Sequence, residues 1–491
     1  MLYEKDLVTL SAKSYGRKIY GCKKNERGNE KRMKKFYDRE KETGVLKEMQ
    51  GQAYSDCSRF VVLTGRRRVG KTSLVNNLIK ESAHIAPGLY FFVGRKTETV
   101  LVRNFAEEVQ RQLGEYIPES ITSFRELFRM LLGIASRRKF TLFIDEFQEF
   151  DNINSGIFSD IQELWDRYKK ETNMCLVASG SIYRMMEKIF KDEEQPLFGR
   201  DDCTIRLQPF RTDVIREILH DYKPDYTKED LLALWTLTGG VARYVELLMN
   251  NGCTSVRKMI HFVCANADSY FIDEGKKILV QEFGKQYGTY FGILGQIAYG
   301  EVTQSEIEKS LGMDSLGGQL KILDEKYGII RKKRPIGAKE NSQTVRYEIT
   351  DIFFRFWFRY IYKYSELIEI QNMTELERRM QSDYKTFSGI ALERWFRQRM
   401  METCRYRQIG GWWLKREKSK VTPNEKGNND EFEIDIVAVT TDDRVEAYEV
   451  KRNMDKYRHS RLEEKVAMMQ RNIFKGRQIT IGGLSMENME D

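Results

Sequence analysis

Between residues 58 and 208 the chain alternates short runs that are apolar at every position with longer stretches whose apolar residues recur three and four apart. SRFVVLT (58–64), GLYFFV (88–93), KFTLFI (139–144), MCLVAS (174–179) and TIRLQ (204–208) read as strands. Residues 71–82, 155–170 and the segments near 98–114, 121–136 and 181–190 read as helices. Strands apolar on both faces and separated by helices predict a parallel sheet covered on both sides. Ahead of them the chain turns helical from Asp38, with Val45, Leu46 and Met49 as its apolar positions.

The pattern then changes. Residues 211–275 read as all-helical, and 283–350 as short helices followed by a strand pair. With Leu320, Ile322 and Leu323 on its third helix, that stretch fits a winged helix, a fold that binds duplex DNA or docks proteins. Arg331, Lys332, Lys333 and Arg334 fall at the wing, where they meet phosphates or line a solvated loop. Residues 351–400 are helical, and the helical spacing of FFRFWFRYIYKY (353–364) makes it core or interface rather than a base-stacking platform. Strands return near 410, and 458–475 reads as a helix. The expected division is a loosely ordered arm at 1–32, an α/β domain at 33–210, a helical lid at 211–280, a winged-helix-like domain at 281–365 and a small α/β domain at 366–491.

Composition narrows the class. The 491 residues suffice for about three domains of roughly 150 residues each. Seven prolines exclude long Pro-rich linkers, and no apolar run approaches the roughly 18 residues that cross a bilayer. The N-terminus lacks the order of a secretory signal, and seven cysteines without a C-x-x-C pair read as reduced thiols in a cytoplasm. Residues 1–35 hold 11 Lys/Arg against 4 Asp/Glu, so +7 of the net +9 sits there. A nucleic-acid footprint over the whole chain is therefore absent, and any such site is a local patch. Met33 opens MKKFYDREKETGVLKEM and is a candidate second start of translation.

Gly65-Arg66-Arg67-Arg68-Val69-Gly70-Lys71-Thr72 is a G-x-x-x-x-G-K-T loop that follows a strand and opens a helix, continuing into Ser73. Its glycines let backbone N–H groups converge on phosphates at a helix N-terminus. Lys71 is expected on the β- and γ-phosphates of ATP, and Thr72 on Mg²⁺. Asp145 and Glu146 end the buried run LFI at the edge where open α/β sheets bind ligands. Asp145 is the expected Mg²⁺ partner and Glu146 the residue that polarises the attacking water. Ser179-Gly180-Ser181 closes the next strand, where a hydroxyl either senses the γ-phosphate or caps the following helix.

GRRRVGKTSL, FIDEFQEF, ASGS, PLFGR and TGGVARYVELL together resemble the archaeal-type P-loop ATPase family, close to the AAA+ and STAND groups, and FYDREKE (36–42) resembles its entry motif. The resemblance covers roughly residues 33–491. It implies that Arg200 reaches a nucleotide, in trans from a second copy, and that Arg243 senses the γ-phosphate from the lid, although Ala242 replaces the family's proline.

In the tail, Glu433-Ile434-Asp435 is followed 14 residues later by Glu449-Val450-Lys451. Glu449 and Lys451 share a strand face, and Asp435 lies a hairpin away. Two carboxylates suit a divalent metal, and a lysine suits the charge that develops on phosphorus. The set resembles the PD-(D/E)xK nuclease core, with Glu393 in GIALERWF matching the carboxylate of its first helix; a surface salt-bridge cluster is the alternative. The expected fold is thus α/β: a P-loop sheet with helical lid, a winged helix and a restriction-endonuclease-like domain. The expected function is an ATP- and Mg²⁺-dependent switch acting on DNA or RNA, with homo-oligomer contacts and no membrane; the alternative is a regulatory NTPase that docks a protein effector.

Overall fold

The structure is a computed structural model that describes residues 35–284, 287–300, 302–339, 342, 344–414 and 433–491. The arm at 1–32 and the start at Met33 lie outside the described residues.

The five apolar runs become β1 (Arg59–Thr64), β2 (Gly88–Phe92), β3 (Phe140–Asp145), β4 (Met174–Gly180) and β5 (Cys203–Arg206). They form one sheet in the order β2–β3–β4–β1–β5, every pair parallel. Side chains alternate between two buried faces, as a strand's period of two requires. Phe60, Val62, Leu142, Ile144, Leu176 and Ala178 enter one apolar cluster. Val61, Leu63, Phe143, Cys175 and Val177 enter the other, under the Glu40–Ser55 and Lys71–Ser82 helices. Because β4 lies between β1 and β3, the P-loop, the Asp145–Glu146 turn and the Ser179–Ser181 strand end meet at one edge.

The segment after β5 is helical, as its pattern predicts. Its Lys228–Thr238 helix starts at a capping box between Thr227 and Asp230 and is buried from Asp230 to Thr238. A helix apolar all round belongs inside, and this one packs against the Ile352–Phe356 and Met373–Glu402 helices. The aromatic stretch is core: Phe353, Phe356 and Phe358 are fully buried, and Trp357 donates its Nε1–H to the Ile272 carbonyl at 2.9 Å.

Three helices (Tyr287–Tyr299, Gln304–Leu311, Gly317–Lys321) precede the antiparallel ribbon of β6 (Ile330–Lys333) and β7 (Arg346–Ile349). The tail is a mixed sheet of β8 (Tyr406–Trp413), β9 (Glu433–Thr440), β10 (Val445–Val450) and β11 (Ile479–Leu484), ordered β11–β10–β9–β8. β8, β9 and β10 pair antiparallel, whereas β11 returns through the His459–Asn472 helix to lie parallel to β10. Among the described residues no helix is long and apolar enough to cross a membrane.

Candidate nucleotide-binding site

The loop after β1 can turn only because of its glycines. Gly65 has φ +154°, and a Cβ there would stand 2.6 Å from the Leu207 carbonyl oxygen. Gly70 has φ +103° and starts the Lys71–Ser82 helix. The loop borders a cavity of about 1090 Å³ lined by Arg67 through Ser73, Asp145, Glu146, Ser181, Phe36, Tyr37, Arg39 and Phe210, and by Arg243 from the lid. Gly65 and Arg66 stand behind this lining.

Lys71 is buried, and its Nζ donates to the carbonyl oxygens of Gly65 (2.6 Å) and Arg66 (3.1 Å). Burial pulls its ammonium down to about 8, against the opposing pull of Glu146 and Asp145. Thr72 Oγ1 donates to Asp145 Oδ2 at 3.2 Å, and the same oxygen accepts from Tyr90 Oη at 2.5 Å. Burial and Asp145 together raise the Tyr90 phenol well above its ordinary range. Thr72 and Asp145 thus offer adjacent hard oxygens beside an open cavity. That donor set suits Mg²⁺, which takes few protein ligands and keeps its waters.

Glu146 adopts a left-handed turn (φ 54°, ψ 41°) immediately past the strand. Its carboxylate accepts from Ser181 Oγ at 2.7 Å and from Gln148 Nε2. Of the two serines, Ser181 faces the cavity. Ser179 lies inside β4, buried, with its hydroxyl unpartnered among the described residues. The next helix begins at Tyr183 with Ile182 at its N-cap position.

The three P-loop arginines each bond a side chain outside the loop, Arg67 and Arg68 from within the cavity lining. Arg66 donates to Asp351 (2.7 Å), Thr350 (2.6 Å) and the Gly328 carbonyl (3.0 Å). Arg67 reaches Gln281, and Arg68 pairs with the buried Glu274 at 2.8 Å. Arg67 and Arg68 thus border the cavity while paired across it with Gln281 and Glu274, and Arg66 is paired outside it with Asp351. Arg243 borders the cavity, paired with Glu246 at 2.9 Å. Arg200 does not line it: its guanidinium meets Asp166 at 3.2 Å and the Phe198 carbonyl at 2.7 Å on the outer surface. Arg39, from the FYDREKE segment, is 4% exposed and props the loop from behind by donating to Val69 O and Gln208 O.

Residues 36–248 match the family model described as an ATPase domain predominantly from Archaea. That segment is similar to archaeal P-loop ATPase domains. Residues 357–464 match a second model, of archaeal and bacterial proteins of unknown function. The chain is 27% identical over 418 residues to an uncharacterised protein of Methanocaldococcus jannaschii, covering 83% of this chain and 85% of that one. The Walker-type ATPase PABY2304 of Pyrococcus abyssi superposes with a TM-score of 0.51 at 20% identity, covering 68% of this chain and 99% of the other. The ORC2 protein of Aeropyrum pernix gives 0.47 at 12% identity, over 72% and 98%.

Beyond the ATPase domain, the tail residues meet on one face. The β9–β10 register pairs Ile436 with Tyr448, so one residue further Asp435 stands opposite Glu449. Lys451 Nζ reaches both carboxylates, Glu449 at 2.7 Å and Asp435 at 3.7 Å. Lys465, which the sequence did not single out, donates to both Glu449 oxygens at 3.2 and 3.1 Å. Burial works to raise the Glu449 carboxyl, but the two lysines outweigh it and hold it below its ordinary range. Asp435 goes the other way: burial, then Glu393, then Glu449 push it to about 7 against the pull of Lys451. Glu393 is ion-paired with Arg397. Among the described residues no three acidic, His or Cys side chains are grouped as a metal cluster, so the carboxylates available to one ion are two.

Proposed function

We propose that the chain binds ATP with Mg²⁺, hydrolyses it, and uses the cycle to switch a nucleic-acid-directed tail. In the ATPase domain, Lys71 would leave the Gly65 and Arg66 carbonyls for the β- and γ-phosphates. Thr72 and Asp145 would hold the ion, which neutralises phosphate charge when bound. Glu146 would orient the attacking water once released from Ser181 and Gln148. Arg243 would follow the γ-phosphate from the lid, and Arg200, half-buried outside the cavity, would act on a second copy.

The observation that carries the nucleic-acid reading is Lys451 bridging Asp435 and Glu449 at neighbouring strand positions. The order helix, β8, β9, β10, helix, β11 supports the PD-(D/E)xK resemblance. The test is nicking of supercoiled plasmid with Mg²⁺ or Mn²⁺. Asp435→Ala and Lys451→Ala should abolish it while ATP turnover persists, because these residues belong to a separate sheet. Plasmid left intact by wild-type protein under every metal and nucleotide condition removes cleavage from the reading.

A second reading, a regulatory ATPase whose tail docks a protein effector, is favoured by one specific observation. Two ammonium groups already occupy Glu449, and burial beside Glu393 and Glu449 raises the Asp435 carboxyl towards its protonated form. Both features weaken the tail's hold on a metal.

A further inference from the structure

The β6–β7 ribbon does not stand free as a wing entering a groove would. Its outgoing turn is buried in the tail: Ile336 donates its N–H to the Gly411 carbonyl at 2.9 Å and is 4% exposed among Trp412, Ile434 and Val437. Gly337 lies against Ile473, where a Cβ would come within 2.9 Å. The ribbon's basic run is thereby fixed along a seam with the Met373–Glu402 helix and β9.

That seam holds more cations than its carboxylates can satisfy. Glu348 alone gathers three: Arg331, Lys333 at 3.3 Å and Arg394 at 3.3 Å. Arg397, one helical turn beyond Arg394, pairs with Glu393 and donates to the Asp435 carbonyl. Arg394 Nη1 and Arg397 Nε are buried with no hydrogen-bond partner among the described residues. Nearby Arg355 stacks over the Phe387 ring at 4.5 Å with no acceptor among the described residues, and loss of solvent and the charge of Arg394 pull it down to about 9. A guanidinium N–H buried without an acceptor is costly, and a bound anion relieves the cost. The rim is open: the Arg331 side chain is 62% exposed, on the same ribbon face as Lys333 and Glu348. Spaced cations running from an open rim to a buried floor match successive phosphates on a chain better than a single compact anion. The floor ends at Arg397, in contact with Asp435.

We propose that this seam binds the sugar-phosphate backbone of a nucleic acid and leads it to Asp435, Glu449 and Lys451. The proposal rests on the nucleic-acid reading above and adds where that backbone lies. Cations on phosphates release counter-ions, so the slope of log K against log salt reports how many contacts form.

The experiment is fluorescence anisotropy of labelled 20-nucleotide duplex and single-stranded DNA on the full chain across a salt series. Arg394→Gln with Arg397→Gln should flatten the slope by roughly two contacts' worth, and Arg331→Gln by roughly one. DNA-free ATP turnover should be unchanged in all of them. Arg331→Gln alone, exposed at the rim, decides the matter if the buried pair impairs folding. If wild-type protein binds DNA and every variant keeps its slope, the backbone lies elsewhere and this proposal falls while the nucleic-acid reading stands. If wild-type protein binds neither DNA at low salt, both fall. Inorganic phosphate at matched ionic strength should not displace the DNA. If it does, and raises the melting temperature of wild-type but not variant protein, the seam is a free-phosphate site and the backbone assignment is wrong.

Discussion

Lys71 turns nucleotide affinity into a function of pH. Its ammonium is buried with two carbonyl oxygens as hydrogen-bond partners, and burial sets it near 8 instead of 10.5. Polyphosphate bound at Nζ favours the charged form and restores a high value. The sign follows from that contrast. Below pH 8 the free site already carries the proton, and affinity is flat. Above pH 8 the free site has lost it, and each binding event takes one up, so affinity falls about tenfold per pH unit until the bound form also titrates. Between pH 7 and pH 9.5 the apparent Kd should rise roughly thirtyfold, or about 2 kcal/mol.

The assay is titration calorimetry with Mg²⁺ and a non-hydrolysable ATP analogue, in pairs of buffers of different ionisation enthalpy. Proton uptake should grow from near zero at pH 7 towards one per site at pH 9.5. Lys71→Arg, which stays charged throughout, should flatten the dependence even though its overall affinity is lower. A wild-type Kd constant from pH 7 to 9.5, with no proton uptake, would refute the reasoning. It would mean that the ammonium is already held charged in the free loop.

Four further outcomes follow from the same geometry. Glu146→Gln should bind MgATP but turn over at least about 100-fold more slowly, as for loss of a general base, and wild-type turnover in steady-state assays would displace Glu146 from that role. Tyr90→Phe frees one Asp145 oxygen, so the Mg²⁺ concentration for half-maximal rate should move several-fold while kcat changes little; equal effects on both would make Tyr90 merely structural. Mixing Arg200→Ala with Lys71→Ala protein should restore part of the lost activity, because one interface in the mixture carries a complete site, and absence of rescue at every concentration makes Arg200 local structure. Gly65→Ala should lose nucleotide binding by equilibrium titration, since its Cβ meets the Leu207 carbonyl at 2.6 Å.

What the sequence made legible is what backbone geometry dictates. Gly65 and Gly70 mark positive-φ positions, and five apolar runs mark strands buried on both faces, so loop and sheet could be read together. Partners supplied by tertiary adjacency could not. Tyr90 sits in an apolar run as apparent filler, yet lies one strand from Asp145 and touches it. Lys465 looks like a solvated helix residue until the His459–Asn472 helix is laid over β10. β11 was missed because Gly482 and Gly483 interrupt its pattern, although it completes the tail sheet. Which of Ser179 and Ser181 faces the cavity depends on where β4 ends, and no spacing rule fixes that to one residue.

The P-loop arginines suggest how the two candidate sites would communicate. In P-loops generally the variable positions carry the cradle's backbone, and their side chains are free to serve something else. Here Arg66 binds Asp351, and Asp351 Oδ1 accepts the N–H groups of Phe353 and Phe354, capping the Ile352–Phe356 helix. Arg68 binds Glu274, which also accepts from Tyr244 and Tyr270 of the lid. When Lys71 exchanges the Arg66 carbonyl for phosphate, the peptide that moves belongs to the residue whose side chain holds that helix cap. On its other side the helix precedes the aromatic core shared with the Met373–Glu402 helix, which carries Glu393, Arg394 and Arg397. The path is a set of packed contacts rather than a demonstrated coupling. It gives the three adjacent loop arginines, each bonded to a segment outside the loop, a part in passing a change of loop backbone to those segments.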